Sequence, residues 1–234
     1  MTTTPLPPLS AARAAWFVAA LAGFVLPALA LLLLDGARGA AGPVLAVGMM
    51  GAGMIAGAIA GRLWVGVALA LLAGAGLVLL ARGLGMPVLT STQETALALV
   101  IASLSFAARG ALFARSAGAR GWWIALGVVG GEAAMVATAA AQPGALPGWL
   151  LALLPAQWAT TAIQTALAGS GTLAAAPVLI ALGGTAASTL LVAALWPRRW
   201  PYAIMFSAWL ALSALVYHHQ TPPEQAGAPA AAVS

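Results

Sequence analysis

The sequence predicts an all-α, polytopic integral membrane helix bundle, with about seven transmembrane helices plus a re-entrant or interfacial segment. Of its 234 residues 63% are hydrophobic and 6% are charged, whereas a soluble domain carries roughly 25% charged residues. The few charges also separate apolar runs of the roughly 20 residues that cross a bilayer. Helices are the expected form of these runs, because an open strand in lipid leaves backbone donors unpaired.

Arginines mark the boundaries of the first three predicted spans. Span 1 covers Ala14 to Leu34, an uncharged run longer than the apolar core of a secretory signal, so we interpret it as a retained helix. Span 2 lies between Arg38 and Arg62, and span 3 runs from Leu63 to Leu80.

Spans 4 and 5 carry charges within the apolar region. The uncharged stretch between Glu94 and Arg109 is too short for a full span, so at least one of these charges should lie inside the membrane boundary. Span 5 runs from Gly121 to about Ala141 and carries Glu132 near its middle.

The segment from Leu146 to Ala168 decides the predicted topology. It is more polar and more broken than its neighbours, because it contains Pro147, Pro155, Gln157, Thr160, Thr161, Gln164 and Thr165. A re-entrant hairpin or an interfacial helix fits this composition, and eight transmembrane helices are the alternative. The last two spans run from about Thr172 to Trp196 and from Tyr202 to Tyr217.

The distribution of arginines favours seven spans. With a cytoplasmic N-terminus and a segment 146–168 that does not span, seven arginines lie inside and two outside, which agrees with the positive-inside rule. The inside set is Arg13, Arg62, Arg109, Arg115, Arg120, Arg198 and Arg199, and the outside set is Arg38 and Arg82. If the segment spans, the counts become five and four. We therefore predict a bacterial inner (cytoplasmic) membrane protein with its N-terminus in the cytoplasm.

The predicted domain organisation is simple, and several kinds of site are excluded. Residues 1–220 form a single transmembrane domain, and the Pro/Ala-rich stretch 221–234 is a disordered tail. The absence of cysteine excludes disulfides and thiolate metal sites. His218 and His219 point about 100° apart on a helix, so we predict no metal site. We expect no cofactor, and scattered arginines without a basic cluster give no reason to expect nucleic acid as a partner.

Three charged residues are candidates for transport or proton relay. A carboxylate at a helix centre costs on the order of 2.5 kcal/mol on insertion scales, so Glu132 should face protein or water; its alternative role is a locking group between helices. If Glu132 has a charged partner, we expect it to be Arg109. For Arg109 itself we favour the alternative that its long side chain extends to the membrane interface (snorkelling). Glu94 is interpreted as a helix cap in a box with Ser91, or else as a pathway group at the outer mouth.

Two sets of glycines at four-residue spacing predict close helix packing. Gly53, Gly57 and Gly61 share one face of span 2, and Gly127 and Gly131 share one face of span 5. Small residues at this spacing let helix backbones approach each other in lipid. The spacing does not tell whether the partner helix belongs to this chain or to another subunit.

From about Ala96 to Arg199 the chain resembles the C-terminal half of the permeases of type 2 ABC exporters. The matching features are Ala114-Arg115-Ser116-Ala117 before span 5, then Leu146-Pro147-Gly148-Trp149 leading to Leu154-Pro155, then Ala168-Gly169 and a closing Arg198-Arg199. The resemblance implies that segment 146–168 is an external re-entrant hairpin. Family members place a coupling helix between spans 2 and 3, and Gly61-Arg62-Leu63 leaves no room for one. A further span also follows Arg199.

We interpret the chain as a transporter-like protein, or a membrane subunit of a larger complex, without catalytic activity of its own. One alternative is an ABC-type permease that works with a separate ATPase. The other is an accessory structural subunit of a respiratory or photosynthetic membrane complex. The expected partner is the lipid bilayer. The two alternatives add other membrane subunits or an ATPase.

Overall fold

The computed structural model describes residues 9–34, 39–86 and 91–220 of the chain. Throughout these ranges the ordered elements are helices, with no strand among them. In chain order they are α1 (residues 9–33), α2 (residues 41–60), α3 (Leu63–Gly83), α4 (Thr92–Ala117), α5 (Gly121–Ala141), α6 (Gly148–Ala152), α7 (Pro155–Ala168), α8 (Thr172–Ala194) and α9 (Trp200–Gln220). The predicted tail 221–234 and Arg38, which bounds predicted span 2, lie outside the described residues.

Seven of these helices have the length of a membrane span. Six helical stretches are long and apolar enough to cross a bilayer, and the longest of them, Thr92–Ala141, holds both α4 and α5 on either side of the 3-10 turn Gly118–Arg120. Helices α6 and α7 have only 5 and 14 residues, which is too short to cross. The polytopic helix bundle predicted from the sequence is therefore confirmed.

The ends of the long helices lie on two opposite faces of the bundle. Contacts between residues far apart in the chain show which helix ends share a face. The arginine face comprises the start of α1 and the connections 61–62, 118–120 and 195–199. Arg115 near the end of α4 donates from Nη1 to the carbonyl oxygen of Ala193 near the end of α8, which places those two helix ends side by side.

The other face, which we call the hairpin face, holds the connections 39–40, 142–147 and 169–171. Gln164 near the end of α7 donates from Nε2 to the carbonyl oxygen of Gly39, at 3.0 Å, and α6 contacts α9. The α6–α7 hairpin therefore enters and leaves the bundle on the same face. The seven long helices leave the start of α1 and the end of α9 on opposite faces.

Proline and glycine define the hairpin. Pro147 is extended (φ −66°, ψ 141°) before α6, and Leu154 is extended (φ −96°, ψ 111°) before Pro155, the first residue of α7. A residue before proline is pushed out of the helical region by its ring, so the helix breaks there. Gly169 ends α7 with φ 67°, a left-handed conformation that suits glycine.

Helix α2 lies at the centre of the bundle, with 72% of its most apolar stretch buried, compared with 17% for α9. Both α1 and α2 contain a π-helical turn, Leu21–Val25 and Gly51–Ile55, and the two turns cross in contact. A Cβ atom on Gly51 would lie 2.7 Å from the carbonyl oxygen of Ala22. This close crossing therefore requires a glycine on α2.

The two predicted glycine faces differ in their surroundings. Cβ atoms on Gly53 and Gly57 would lie 3.1 Å from Ala70 Cβ and 3.2 Å from the carbonyl oxygen of Ala107, so α2 packs closely on α3 and α4. Gly61 ends α2 with φ 61°. Gly127 and Gly131 on α5 are exposed, and Cβ atoms there would meet nothing within 4 Å. Packing at this second face stays a prediction for a partner outside the described chain.

Candidate functional site

Glu132 lies in the middle of α5 and is 9% exposed. Its carboxylate accepts two hydrogen bonds from different helices. Nη1 of Arg109 on α4 donates to Oε1 at 2.9 Å, and the backbone N–H of Ala156 on α7 donates to Oε2 at 2.9 Å. One side chain thus connects α5 to a neighbouring span and to the hairpin.

The short connection between α4 and α5 brings the two charges together. The helices are joined by the 3-10 turn Gly118–Arg120 and run antiparallel. Arg109 and Glu132 are each about ten residues from this turn, so at 1.5 Å per residue both lie roughly 15 Å from the arginine face. Arg109 was expected to snorkel to the interface; instead its side chain is 15% exposed and pairs with Glu132.

The carboxylate also caps the N-terminus of α7. The first N–H groups of a helix have no partner within the helix, and Pro155 has no N–H to donate. Ala156 donates to Glu132, and Gln157 donates to the carbonyl oxygen of Leu154 at 3.0 Å. The positive end of the α7 dipole also favours a negative charge at this position.

The guanidinium of Arg109 is only partly satisfied. Its Cζ lies 5.2 Å from the centroid of the Phe106 ring, a distance at which a cation is attracted to the ring face. Its Nε and Nη2 are buried and have no hydrogen-bond partner among the described residues. The Glu132 carboxylate is therefore the only described ion-pair partner that stabilises this buried cation.

Several polar side chains of the hairpin donate to backbone carbonyl oxygens within it, which explains how the segment lies within the bundle. The Trp158 indole is fully buried and donates to the carbonyl oxygen of Ala152 at 2.8 Å, which joins α7 to α6. Thr160, Thr161 and Thr165 donate to carbonyl oxygens one turn earlier in α7. Irregular backbone at membrane depth is tolerated where protein surrounds it in this way.

Glu94 is far from this cluster. It lies in the first turn of α4 at the hairpin face, and its N–H donates to Ser91 Oγ at 3.4 Å, the arrangement expected of a capping residue pair. Arg109 follows fifteen residues later on α4, roughly 22 Å away at the helical rise. The structure thus brings Arg109 and Glu132 together and leaves Glu94 apart.

The two histidines are at the end of α9, where His219 Nδ1 lies 3.0 Å from the carbonyl oxygen of Leu215. Within the described ranges, no group of three or more His, Asp or Glu side chains is placed to hold a metal ion.

Sequence reasoning missed four contacts in and around the site. The N–H of Ala156 is a backbone group, for which the only signal is Pro155 as a helix start. The α2 backbone packs directly against Gly66 of α3 and Gly110 of α4. Neither glycine belongs to the two sets that were predicted from four-residue spacing. Ser105 Oγ on α4 lies 3.4 Å from Thr185 Oγ1 on α8, both buried; isolated hydroxyls on two apolar helices gave no sign of this pairing.

Comparisons with known proteins return no match: no protein family model, no curated protein and no solved structure is significantly similar to this chain.

Proposed function

We propose that this chain is a transporter-like protein of the bacterial inner membrane in which the α6–α7 hairpin acts as a gate. The observation that carries this proposal is the pair of bonds that Glu132 accepts, from Arg109 Nη1 and from the N–H of Ala156. They hold the N-terminus of a half-length helix at the middle of the bundle. Broken helices that end near the membrane midplane recur at the binding sites of transporters.

The proposed gate opens when the hydrogen bond from the N–H of Ala156 to Glu132, which we call the latch, is broken. Helix α7 is attached at its start through Glu132 and near its end through Gln164, which bonds the carbonyl oxygen of Gly39. Loss of the Glu132 bond frees the buried end of the hairpin, and the outer end then serves as the hinge. By the positive-inside rule the arginine face is cytoplasmic, so the gate opens to the outside.

An ABC-type permease that works with a separate ATPase is the second candidate. It is favoured by the order of elements, because five spans precede the hairpin and α8 follows it, as the resemblance to type 2 ABC exporter permeases implies. Only Gly61 and Arg62 separate α2 from α3, so no coupling helix stands there for an ATPase to engage. Co-purification of an ATPase with the chain would support this candidate.

The gate is tested by chemical accessibility, for which the absence of native cysteine is an advantage. Thr160→Cys places a thiol of similar size in α7, at a site 2% exposed. We expect a membrane-impermeant maleimide to label it from the hairpin face, to which the proposed gate opens. Ser105→Cys is the matched control, because Ser105 is fully buried but lies outside the hairpin; it should stay unlabelled.

The latch is tested by combining Thr160→Cys with Glu132→Gln. An uncharged amide loses the charge-assisted part of both bonds, so labelling should be faster by about tenfold or more. A second pair, Gly42→Cys with Gln164→Cys, crosslinks the hinge, because a Cβ on Gly42 would meet the Gln164 side chain. We expect this disulfide to fix the outer end of α7 and to leave Thr160→Cys reactive from the hairpin face, because the buried end still moves.

A rigid hairpin would contradict the proposal. If Thr160→Cys stays unreactive from both faces, including in a Glu132→Gln chain that assembles normally, the hairpin is a fixed structural element. The accessory structural subunit would then be the better description of the chain.

A further inference from the structure

An apolar groove of about 310 Å³ opens on the lipid-facing side of the bundle, between the first half of α1 and α3. Trp16 and Phe24 of α1 form one wall, and Leu69 and Leu72 of α3 form the other. Small residues of α2, among them Ala52, form the floor.

The groove exists because α1 and α3 diverge. The contacts of α1 with α3 come mainly from residues 21–33, whereas its first twelve residues pack against α2. The deep end is closed by Phe24, since a Cβ on Gly76 of α3 would lie 2.9 Å from Phe24 Cε2. The groove therefore opens toward the arginine face.

Two arginines stand at the open end. Arg13 precedes Trp16 by three residues, and Arg62 precedes Leu69 by seven, so their Cα atoms lie roughly 5 and 10 Å beyond the groove along the helices. Both are exposed, and neither forms an ion pair with another described residue. Trp64 beside them is 73% exposed. Arginine and tryptophan together are typical of a membrane–water interface.

We propose that this groove binds an anionic phospholipid, with one acyl chain between α1 and α3 and the phosphate held by Arg13 and Arg62. A groove from Trp16 to Phe24 is about 12 Å long, and a partner helix about 10 Å across would need far more volume than this groove offers. The two described carboxylates, Glu94 and Glu132, lie on α4 and α5 and do not compete for the arginines. This proposal does not depend on the chain being a transporter.

The headgroup part of the proposal is tested by native mass spectrometry of the full chain in detergent. Phosphatidylglycerol and phosphatidylcholine with the same acyl chains are titrated separately. We expect phosphatidylglycerol to bind more tightly, and Arg13→Gln with Arg62→Gln to weaken its binding by about tenfold, since each basic side chain near a surface attracts anionic lipid. Arg198→Gln with Arg199→Gln removes the same charge from the same face and should leave the affinity unchanged.

The groove itself is tested by filling it and by crosslinking. Ala20→Trp places an indole at an exposed position of the groove lining and should abolish the tight phosphatidylglycerol adduct. Phosphatidylglycerol with a photoactivatable acyl chain should label peptides that contain residues 16–24 and 69–73. Equal affinity for both lipids, equal losses in the two double variants, or an unchanged adduct in Ala20→Trp would each overturn the proposal.

Discussion

Helices α2 and α5 are both fixed within the bundle, but by different kinds of contact. Helix α2 approaches its neighbours backbone to backbone: a Cβ on Gly66 of α3 would lie 2.6 Å from the carbonyl oxygen of Gly53. Helix α5 exposes its glycines at four-residue spacing, Gly127 and Gly131, and its side-chain hydrogen bonds to other described helices are accepted by Glu132.

The difference shows how stability is distributed in a lipid-dissolved bundle. Lipid removes the hydrophobic drive between helices, so packing and polar bonds hold them together. Along α2 the free energy is spread over many close atom contacts, each of which is small. Along α5 a few buried apolar side chains are joined by one carboxylate, whose loss leaves Arg109 and the N–H of Ala156 without this partner.

Glu132→Ala should therefore have the largest effect of any single substitution that we consider. Removal of one partner of a buried ion pair costs about 3–5 kcal/mol, because the other charge is left uncompensated. The free energy of unfolding is measured by titration of the detergent-solubilised chain with sodium dodecyl sulfate. Glu94→Ala is the control: its backbone N–H still donates to Ser91 Oγ, so the variant loses only an acidic side chain in the first turn of α4, which is worth about 0.3–1 kcal/mol.

A double variant sharpens the same test. Arg109→Met with Glu132→Met removes both charges at once, and we expect most of the lost stability to return. If the double variant is no more stable than Glu132→Ala, an unpaired arginine is not the cause of the loss.

Gly110→Ala should have an intermediate effect, because α4 meets the central helix at that glycine. A Cβ there would overlap the carbonyl oxygen of Met54 in α2, and overpacking of this kind costs about 1–3 kcal/mol. Gly127→Ala is the matched control on α5, where open space surrounds the added methyl group, and it should change the free energy of unfolding by less than about 0.5 kcal/mol. Equal losses in both variants would show that Gly110 and Gly127 are packed alike, contrary to their surroundings in the structure.

Ser105→Ala should have the smallest effect. It removes the hydroxyl contact with Thr185 between α4 and α8, and hydrogen bonds between membrane helices average roughly 0.6 kcal/mol. The same titration measures this difference. A loss of several kcal/mol would contradict this expectation, because the hydroxyl pair would then stabilise the bundle about as strongly as Glu132 does.

Sequence reasoning predicted the cluster of Glu132, Arg109 and Ala156 only in part. Glu132 was identified because a mid-span carboxylate is costly in lipid, and Arg109 because a short turn joins its helix to α5. The prediction that Arg109 extends to the membrane interface was wrong, because the Glu132 carboxylate lies within hydrogen-bonding distance of its guanidinium. That Ala156 completes the cluster follows from the path of the hairpin through the bundle, which composition does not encode.

The sequence by itself determined that this protein is a bundle of apolar helices long enough to span a membrane, and it determined the approximate ends of six of the seven long helices; the bounds of α4 and the division of segment 146–168 into two helices came from the structure. Charge content, apolar run length, and the prolines and glycines at the helix ends are local properties, and each acts on the few residues beside it. Only the tertiary structure decided which glycines lie in contact and where the hairpin ends. Those outcomes depend on distances between segments that are far apart in the chain. Glycines at the same four-residue spacing are therefore closely packed on α2 but exposed on α5.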